Sequence, residues 1–121
     1  MASNIKNISL STFINKLLVT PENVEFTEVI EIINRQYRYK PTTFINGDLH
    51  NEAGTNEGSC KIFYFAQLNK LTEQQTLSCF GHYYRDDVLK NLDGDDHANI
   101  RNFIKTGWQQ LTFDAVALLP L

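Results

Sequence analysis

The sequence predicts a compact, mostly helical α+β domain of about five helices, with at most a small two-stranded sheet. Several segments repeat apolar residues at i, i+3, i+4 and i+7, which is typical of amphipathic helices. Between them, residues 46–59 are too rich in Asn and Gly for a helix or a central strand, and favour tight turns. Residues 42–45 and 111–116 have strand character, and we predict that they can pair.

Length and charge restrict the class of protein. The 121 residues predict one domain, 1–121, large enough to bury a core without disulfides. A net charge of −3 without a basic run argues against a nucleic-acid partner, and the apolar runs are too short to cross a membrane. The N-terminus lacks the features of a Sec signal peptide, and we expect residues 1–8 to fray.

The first two helices follow from apolar stripes. One stripe occupies positions 10, 13, 14, 17 and 18, with Ser9 or Ser11 as the predicted cap. This helix ends at Thr20, because the residue before a proline is disfavoured in helical geometry. The second stripe predicts a helix from a Thr27 cap to about Arg38, with Phe26 as a hydrophobic staple.

The third and fourth helices have recognisable start signals. Residues 60–68 are apolar on most sides, so either a buried helix or a strand fits. Their length and the Gly58-Ser59 start favour a helix, with Ser59 as its N-cap. Thr72 and Gln75 have the spacing of a capping box, in which each side chain bonds the other residue's backbone N–H. The apolar spacing predicts that this fourth helix continues to Tyr84.

The last helix completes the predicted core. Asp95 or Asp96 is its expected cap, and Gly107 is its expected C-terminal residue. The side chains predicted to form the core share these helical stripes: Leu10, Phe13, Leu17, Val29, Ile33, Phe63, Phe65, Leu77, Phe80, Ile100, Phe103 and Trp108.

One chemical hypothesis is a nucleophilic cysteine. Cys60 lies near a predicted helix start, where the dipole lowers the pKa of a thiol, and His50, His82 or His97 could serve as base. In the alternative, Cys60 and Cys79 are free, buried and packed as small apolar residues. No catalytic residue is assigned, and Cys60, Cys79 and His50 are the candidates.

A second hypothesis is a metal site at Asp95, Asp96 and His97, with His50 or His82 brought in by folding. Carboxylates and imidazole are suitable ligands, but the sequence contains no paired-ligand spacing such as CxxC or HExxH. Ile104 occupies the position where a calcium loop requires Glu. We therefore interpret these residues as a helix cap and turn, and we predict neither a metal nor another cofactor.

A third hypothesis is a polar recognition surface. We expect residues 46–59 to be ordered and to pack beside the start of the helix that contains His97. Asp86, Arg101 and two helix N-termini are the expected partners of this stretch. The alternative is a network that only supports the fold. The candidate binding residues are Asn46, His50, Asn51, Asn56, Tyr84, Arg85, Asp86, His97 and Arg101.

Three segments and one dipeptide together resemble the HopJ type III effector family. They are FING with NEAGTNEGSCK in 44–61, TLSCFGHYYRDDVL in 76–89, DHANIRNF in 96–103 and Gly107-Trp108. The resemblance extends from about residue 10 to residue 113. It implies a small single-domain bacterial protein, named for an effector that type III secretion delivers into host cells.

The resemblance carries over no catalytic residue. We therefore expect a non-enzymatic protein-interaction module whose partner, in the bacterium or in a host, is unidentified. Its expected location is the bacterial cytoplasm before any type III secretion. The alternative is a small cysteine- or metal-dependent enzyme.

Overall fold

The computed structural model of the protein describes residues 2–121, with side chains from residue 10 onward. Five α-helices share the chain with a π-helix at Tyr83–Val88 and five short strands. The helices are α1 (Ala2–Val19), α2 (Phe26–Gln36), α3 (Glu57–Leu68), α4 (Glu73–Ser78) and α5 (Ala98–Thr106). The strands are β1 (Tyr37–Tyr39), β2 (Phe44–Asn46), β3 (Leu49–Asn51), β4 (Leu111–Phe113) and β5 (Leu118–Pro120). The predicted α+β class is confirmed.

The strands form two antiparallel sheets, one with the order β3-β2-β4 and one that pairs β1 with β5. The predicted pairing of 42–45 with 111–116 is confirmed, with Phe44 opposite Phe113. The limit of two strands is wrong, because Gly47 at φ +64 allows a tight turn that pairs β3 with β2. Consequently β2 is a central strand, although it ends within the Asn- and Gly-rich stretch.

The starts of α1 and α2 differ from the predicted ones. Helix α1 begins at Ala2, so the predicted start at Ser9 or Ser11 is wrong. In α2, Glu25 is the N-cap and forms a capping box with Glu28, which replaces the predicted Thr27 cap. The fraying of residues 1–8 stays a prediction, because Met1 and the side chains of 2–9 lie outside the described part.

Helices α3 and α5 begin with residues in left-handed backbone geometry. Asn56, at φ 50, is the N-cap of α3, and His97, at φ 52, is the N-cap of α5. The predicted caps Ser59 and Asp95 or Asp96 are therefore wrong. Asn tolerates this geometry better than most residues, which helps to explain the start of α3 at Asn56.

Helix α4 ends at Ser78, so the prediction that it continues to Tyr84 is wrong. Gly81 adopts φ +61, and a Cβ placed there would lie 2.7 Å from the backbone nitrogen of Phe26. Only glycine fits this turn without strain, and the π-helix follows it. At the other end of the fold, Gly107 is the C-cap of α5, as predicted.

The capping box at the start of α4 is confirmed. Gln75 donates its backbone N–H to the Thr72 hydroxyl at 3.0 Å, and Thr72 donates its N–H to the Gln75 side chain at 2.9 Å. Thr72→Ala should lower the free energy of unfolding by about 1 kcal/mol, as measured by urea denaturation. Thr27→Ala is the matched control, because Thr27 is exposed and lies inside α2. An equal loss in both variants would contradict the assignment.

The core contains ten of the twelve predicted side chains, while Leu10 and Trp108 pack at its margin as partly buried residues. Phe63 lies at its centre, with its ring 5.4 Å from that of Phe80 and 4.9 Å from that of Phe103. Because Phe44 also packs on Phe63, the core joins the three-stranded sheet to α3 and α5. None of the described helices combines the length and apolar character that crossing a membrane requires.

Candidate functional site

A concave site of about 460 Å³ lies between β3 and the starts of α3 and α5, and is called the α3–α5 pocket below. Its polar wall comes from histidine, asparagine and serine side chains, and its apolar wall is largely aromatic. The residues that define it are Phe26, Leu49, His50, Asn51, Asn56, Gly58, Ser59, Phe80, Tyr83, His97, Ala98, Asn99 and Ile100. The pocket therefore brings together both ends of the Asn- and Gly-rich stretch and the beginning of α5.

Hydrogen bonds between asparagines hold this stretch against α5. The Asn99 Nδ2 donates to Asn51 Oδ1 at 2.9 Å, and the Asn51 Nδ2 donates to Asn99 Oδ1 at 3.2 Å. Asn46 donates to the Asn99 backbone oxygen at 2.9 Å, and Asn56 donates to Asn51 Oδ1 at 2.7 Å. Asn46, Asn51 and Asn99 are all buried. The stretch packs beside α5 as predicted, but its partners there are Asn99 and Asn102, which donates to the Asn46 backbone oxygen at 2.7 Å.

Sequence reasoning missed Asn99, although one signal was available. Asn99 lies one turn before Phe103, so a polar residue occupies the face of α5 that points into the core. A buried amide needs several partners, and the asparagine-rich stretch supplies them. Among the described residues, the Asn46 Oδ1 is a buried acceptor without a hydrogen-bond partner.

Both helix starts at the pocket lack a side-chain cap. The side chains of Asn56 and His97 accept no hydrogen bond from the first turn of α3 or α5. The early N–H groups of these helices, such as those of Gly58 and Ala98, therefore have no capping acceptor from the N-cap residue. The positive ends of two helix dipoles border the pocket, which is consequently rich in donors.

The predicted binding residues divide into two groups. His50, Asn51, Asn56 and His97 line the α3–α5 pocket, while Asn46 is bonded to Asn99 in the network described above. His50 and His97 therefore border the same pocket. The other four predicted residues, Tyr84, Arg85, Asp86 and Arg101, lie outside the pocket lining.

Tyr84, Arg85 and Asp86 have structural partners away from the pocket lining. The Tyr84 side chain is buried, and its hydroxyl accepts a hydrogen bond from Gln74 at 3.3 Å. Arg85 donates to Glu25 at 2.8 Å, and Asp86 forms an exposed ion pair with the lysine one turn later. All three follow Gly81, which redirects the chain, so the predicted continuous helix would have placed them differently.

Arg101 fixes the loop before α5. Its guanidinium donates to the Asn91 backbone oxygen at 2.7 Å and to Asp96 Oδ1 at 2.6 Å. The bond from Arg101 is the main reason that the pKa of Asp96 lies below its ordinary value. The role predicted for Arg101, as a partner of the Asn- and Gly-rich stretch, is therefore wrong.

The two thiols are free and buried. Burial raises the pKa of Cys60 to about 11, and burial raises the pKa of Cys79 to about 12. The expectation of a lowered thiol pKa at Cys60 is wrong, because the side chain is buried and the loss of solvation outweighs the helix dipole. Neither sulfur lines the α3–α5 pocket. His82, one of the candidate bases, pairs with the Glu25 carboxylate and not with a cysteine.

These pKa shifts predict slow alkylation of the native protein. The reaction of iodoacetamide with Cys60 and Cys79 should stay slow until the pH approaches 11, because the thiolate is the nucleophile. In denaturing urea both thiols should titrate near the ordinary value of about 8.5. Mass spectrometry after timed alkylation measures the rates. A native thiol that titrates at or below the ordinary value would contradict this description.

The predicted metal candidates form a different set in the structure. His97 Nε2 lies 2.9 Å from Asp87 Oδ2 and 3.9 Å from Asp96 Oδ2. Asp87 thus takes the place predicted for Asp95, which is not part of this group. The π-helix brings Asp87 back to the start of α5, a contact that local spacing does not reveal.

Comparison with known proteins gives two matches. The model of the family described as HopJ type III effector protein matches residues 10–118. The crystal structure of VPA0580, a protein described as of unknown function, superposes with a TM-score of 0.91 at 44% identity, covering 93% of each chain. The comparison with curated proteins gives no match.

Proposed function

The chain belongs to the HopJ type III effector protein family, and from this premise we propose that it is a non-enzymatic module that binds a partner protein. The observation that carries the proposal is the α3–α5 pocket, where donors and aromatic rings converge. A short peptide segment of the partner is the proposed occupant. We further propose that a type III system secretes the protein and that the partner is a host protein.

The chemistry of the pocket suits a peptide. Side-chain amides such as those of Asn51 and Asn56 carry donors and acceptors that match the groups of a peptide backbone. Phe26 and Tyr83 pack edge to face at 5.1 Å and give an apolar wall for a partner side chain. The volume of about 460 Å³ lies in the range of ordinary ligand pockets, about 300–1,000 Å³, and suits one or two side chains.

The positions of the nucleophile candidates support binding over catalysis. Cys60 and Cys79 are buried outside the pocket lining, and burial raises the pKa of both thiols. A cysteine enzyme requires a thiolate that substrate can reach. His50 and His97 border the pocket, where they can donate or accept hydrogen bonds to a bound peptide.

Selection of peptides from a random phage-displayed library tests the proposal. The selected peptides are then titrated into the purified protein by calorimetry. His50→Ala should weaken binding by at least about fivefold, since one hydrogen bond contributes about 1 kcal/mol. His82→Ala is the matched control, because His82 is also an exposed histidine but does not line the pocket.

Two results would overturn the proposal. One is that no peptide binds after selection. The other is that His50→Ala and His82→Ala bind every selected peptide with the affinity of the unchanged protein. A translocation reporter fused to the chain tests secretion separately, with a strain that lacks the secretion ATPase as the control.

A further inference from the structure

We propose that Asp87, Asp96 and His97 form a binding site for Zn²⁺ or a chemically similar divalent transition metal. The three side chains come from two parts of the fold: the π-helix supplies Asp87, and the turn before α5 supplies Asp96 and His97. Their ligand atoms all lie within 4.8 Å of one another. This inference is independent of the peptide-binding proposal, and either can fail without the other.

The distances suit a shared ion. Zinc binds imidazole nitrogen and carboxylate oxygen at about 2.0–2.2 Å, so two ligand atoms on one ion lie no more than about 4.2 Å apart. The His97 Nε2 lies 2.9 Å from Asp87 Oδ2 and 3.9 Å from Asp96 Oδ2. The Asp96 side chain is 58% exposed, so an ion from solvent can reach its carboxylate.

Contacts around the three side chains hold two of them in place. The His97 imidazole packs against the Tyr83 ring, with the ring centres 5.1 Å apart. Arg101 bonds Asp96 through Oδ1, and Oδ2 is the oxygen nearer to His97. Outer partners of this kind orient metal ligands in known sites.

The local charge favours a cation. Residues 86–97 contain five aspartates and one lysine, which gives this segment a formal charge of −4. Arg101 brings one positive charge beside Asp96, and Lys90 pairs with Asp86. The net charge of this region stays negative after Arg101 and Lys90 are counted, so the region attracts a divalent cation.

The ligand types select the kind of metal. One imidazole with two carboxylates suits zinc and related transition metals, whereas calcium takes six to eight oxygen ligands. Three protein ligands leave a fourth tetrahedral position for water or another donor. His97 also lines the α3–α5 pocket, so the ion would lie at its border.

Calorimetric titration of the full chain with ZnCl₂ tests the proposal. We expect saturable binding of one ion per chain. His97→Asn should weaken binding at least about tenfold, because it removes the imidazole while Asn tolerates the left-handed backbone. Asp87→Asn should have a similar effect. The matched control is His82→Asn, since His82 forms a comparable pair with Glu25 at 3.3 Å.

The possible results distinguish a specific metal site from nonspecific binding of ions to the surface. Binding that His82→Asn weakens as much as His97→Asn does, or binding without a saturable one-to-one phase, would overturn the proposal. Equal affinity for CaCl₂ would also overturn it. Circular dichroism verifies that each variant is folded, and Asp96→Asn replaces Asp87→Asn if the latter unfolds. The thiols should not compete, because both are buried.

Discussion

Phe80→Ala is expected to lower the free energy of unfolding by about 3–5 kcal/mol, the range for truncating a buried aromatic side chain. Phe80 is 2% exposed, and its ring lies 5.4 Å from Phe63 and 6.5 Å from Phe26. Its removal leaves a cavity between α3 and the wall of the α3–α5 pocket, which the surrounding rings fill only in part. Urea denaturation followed by circular dichroism gives the value.

Leu92→Ala is the control for Phe80→Ala. Leu92 is 73% exposed, so its truncation should change the free energy of unfolding by less than about 0.5 kcal/mol. A loss below about 1 kcal/mol in Phe80→Ala would contradict the description of Phe80 as a core residue.

Asn99→Ala is expected to lower the free energy of unfolding by about 2–4 kcal/mol. The substitution removes both bonds between the Asn99 and Asn51 side chains, and it removes the side-chain acceptor of Asn46, which keeps its bond to the backbone oxygen of residue 99. Each buried group left unpaired costs about 1–3 kcal/mol. It should also loosen residues 46–59, because it removes both hydrogen bonds between the Asn99 and Asn51 side chains. Urea denaturation measures the stability, and amide hydrogen exchange measures the loosening.

Lys105→Ala provides the comparison for Asn99→Ala, since Lys105 is exposed on the same helix. Both residues are in α5, so the control separates loss of the network from a change in helix propensity. If Asn99→Ala is no less stable than Lys105→Ala, the asparagine network does not stabilise the fold.

The fold class and most of the core could be predicted because apolar periodicity is a local property. Phe13 and Leu17 in α1 and Ile100 and Phe103 in α5 repeat at helical spacing, and all four are buried. The pairing of β2 with β4 could also be predicted from the sequence, because both segments have strand character and few other segments do.

The start of α4 was predicted from its capping box, but the starts of α1, α2, α3 and α5 were not, because several residues near each of them can act as caps. Thr27 is a better cap in isolation than Glu25, but Glu25 gains a reciprocal bond with Glu28. Likewise, the π-helix follows from the backbone geometry of Gly81, which packs against Phe26 from a distant part of the chain.

The positions of several predicted binding residues depend on contacts between residues that are distant in sequence. His50 and His97 both line the α3–α5 pocket, as predicted. The prediction was possible because the turn-rich stretch that contains His50 was expected to pack beside the start of the helix that contains His97. Arg85 and Arg101 were misplaced, because an arginine has many possible acceptors and sequence spacing does not choose among them. Their actual acceptors include Glu25, Asp96 and the backbone oxygen of Asn91.

Amide NMR of the full chain determines whether a partner peptide binds at the α3–α5 pocket. The tightest peptide from the display selection is titrated into the full chain, and the shifts of each backbone amide are mapped. We expect the largest shifts at Gly58, Ser59, Ala98 and Asn99, whose amides border the pocket. Shifts concentrated on the β1–β5 sheet, with these four amides unmoved, would contradict binding at this pocket.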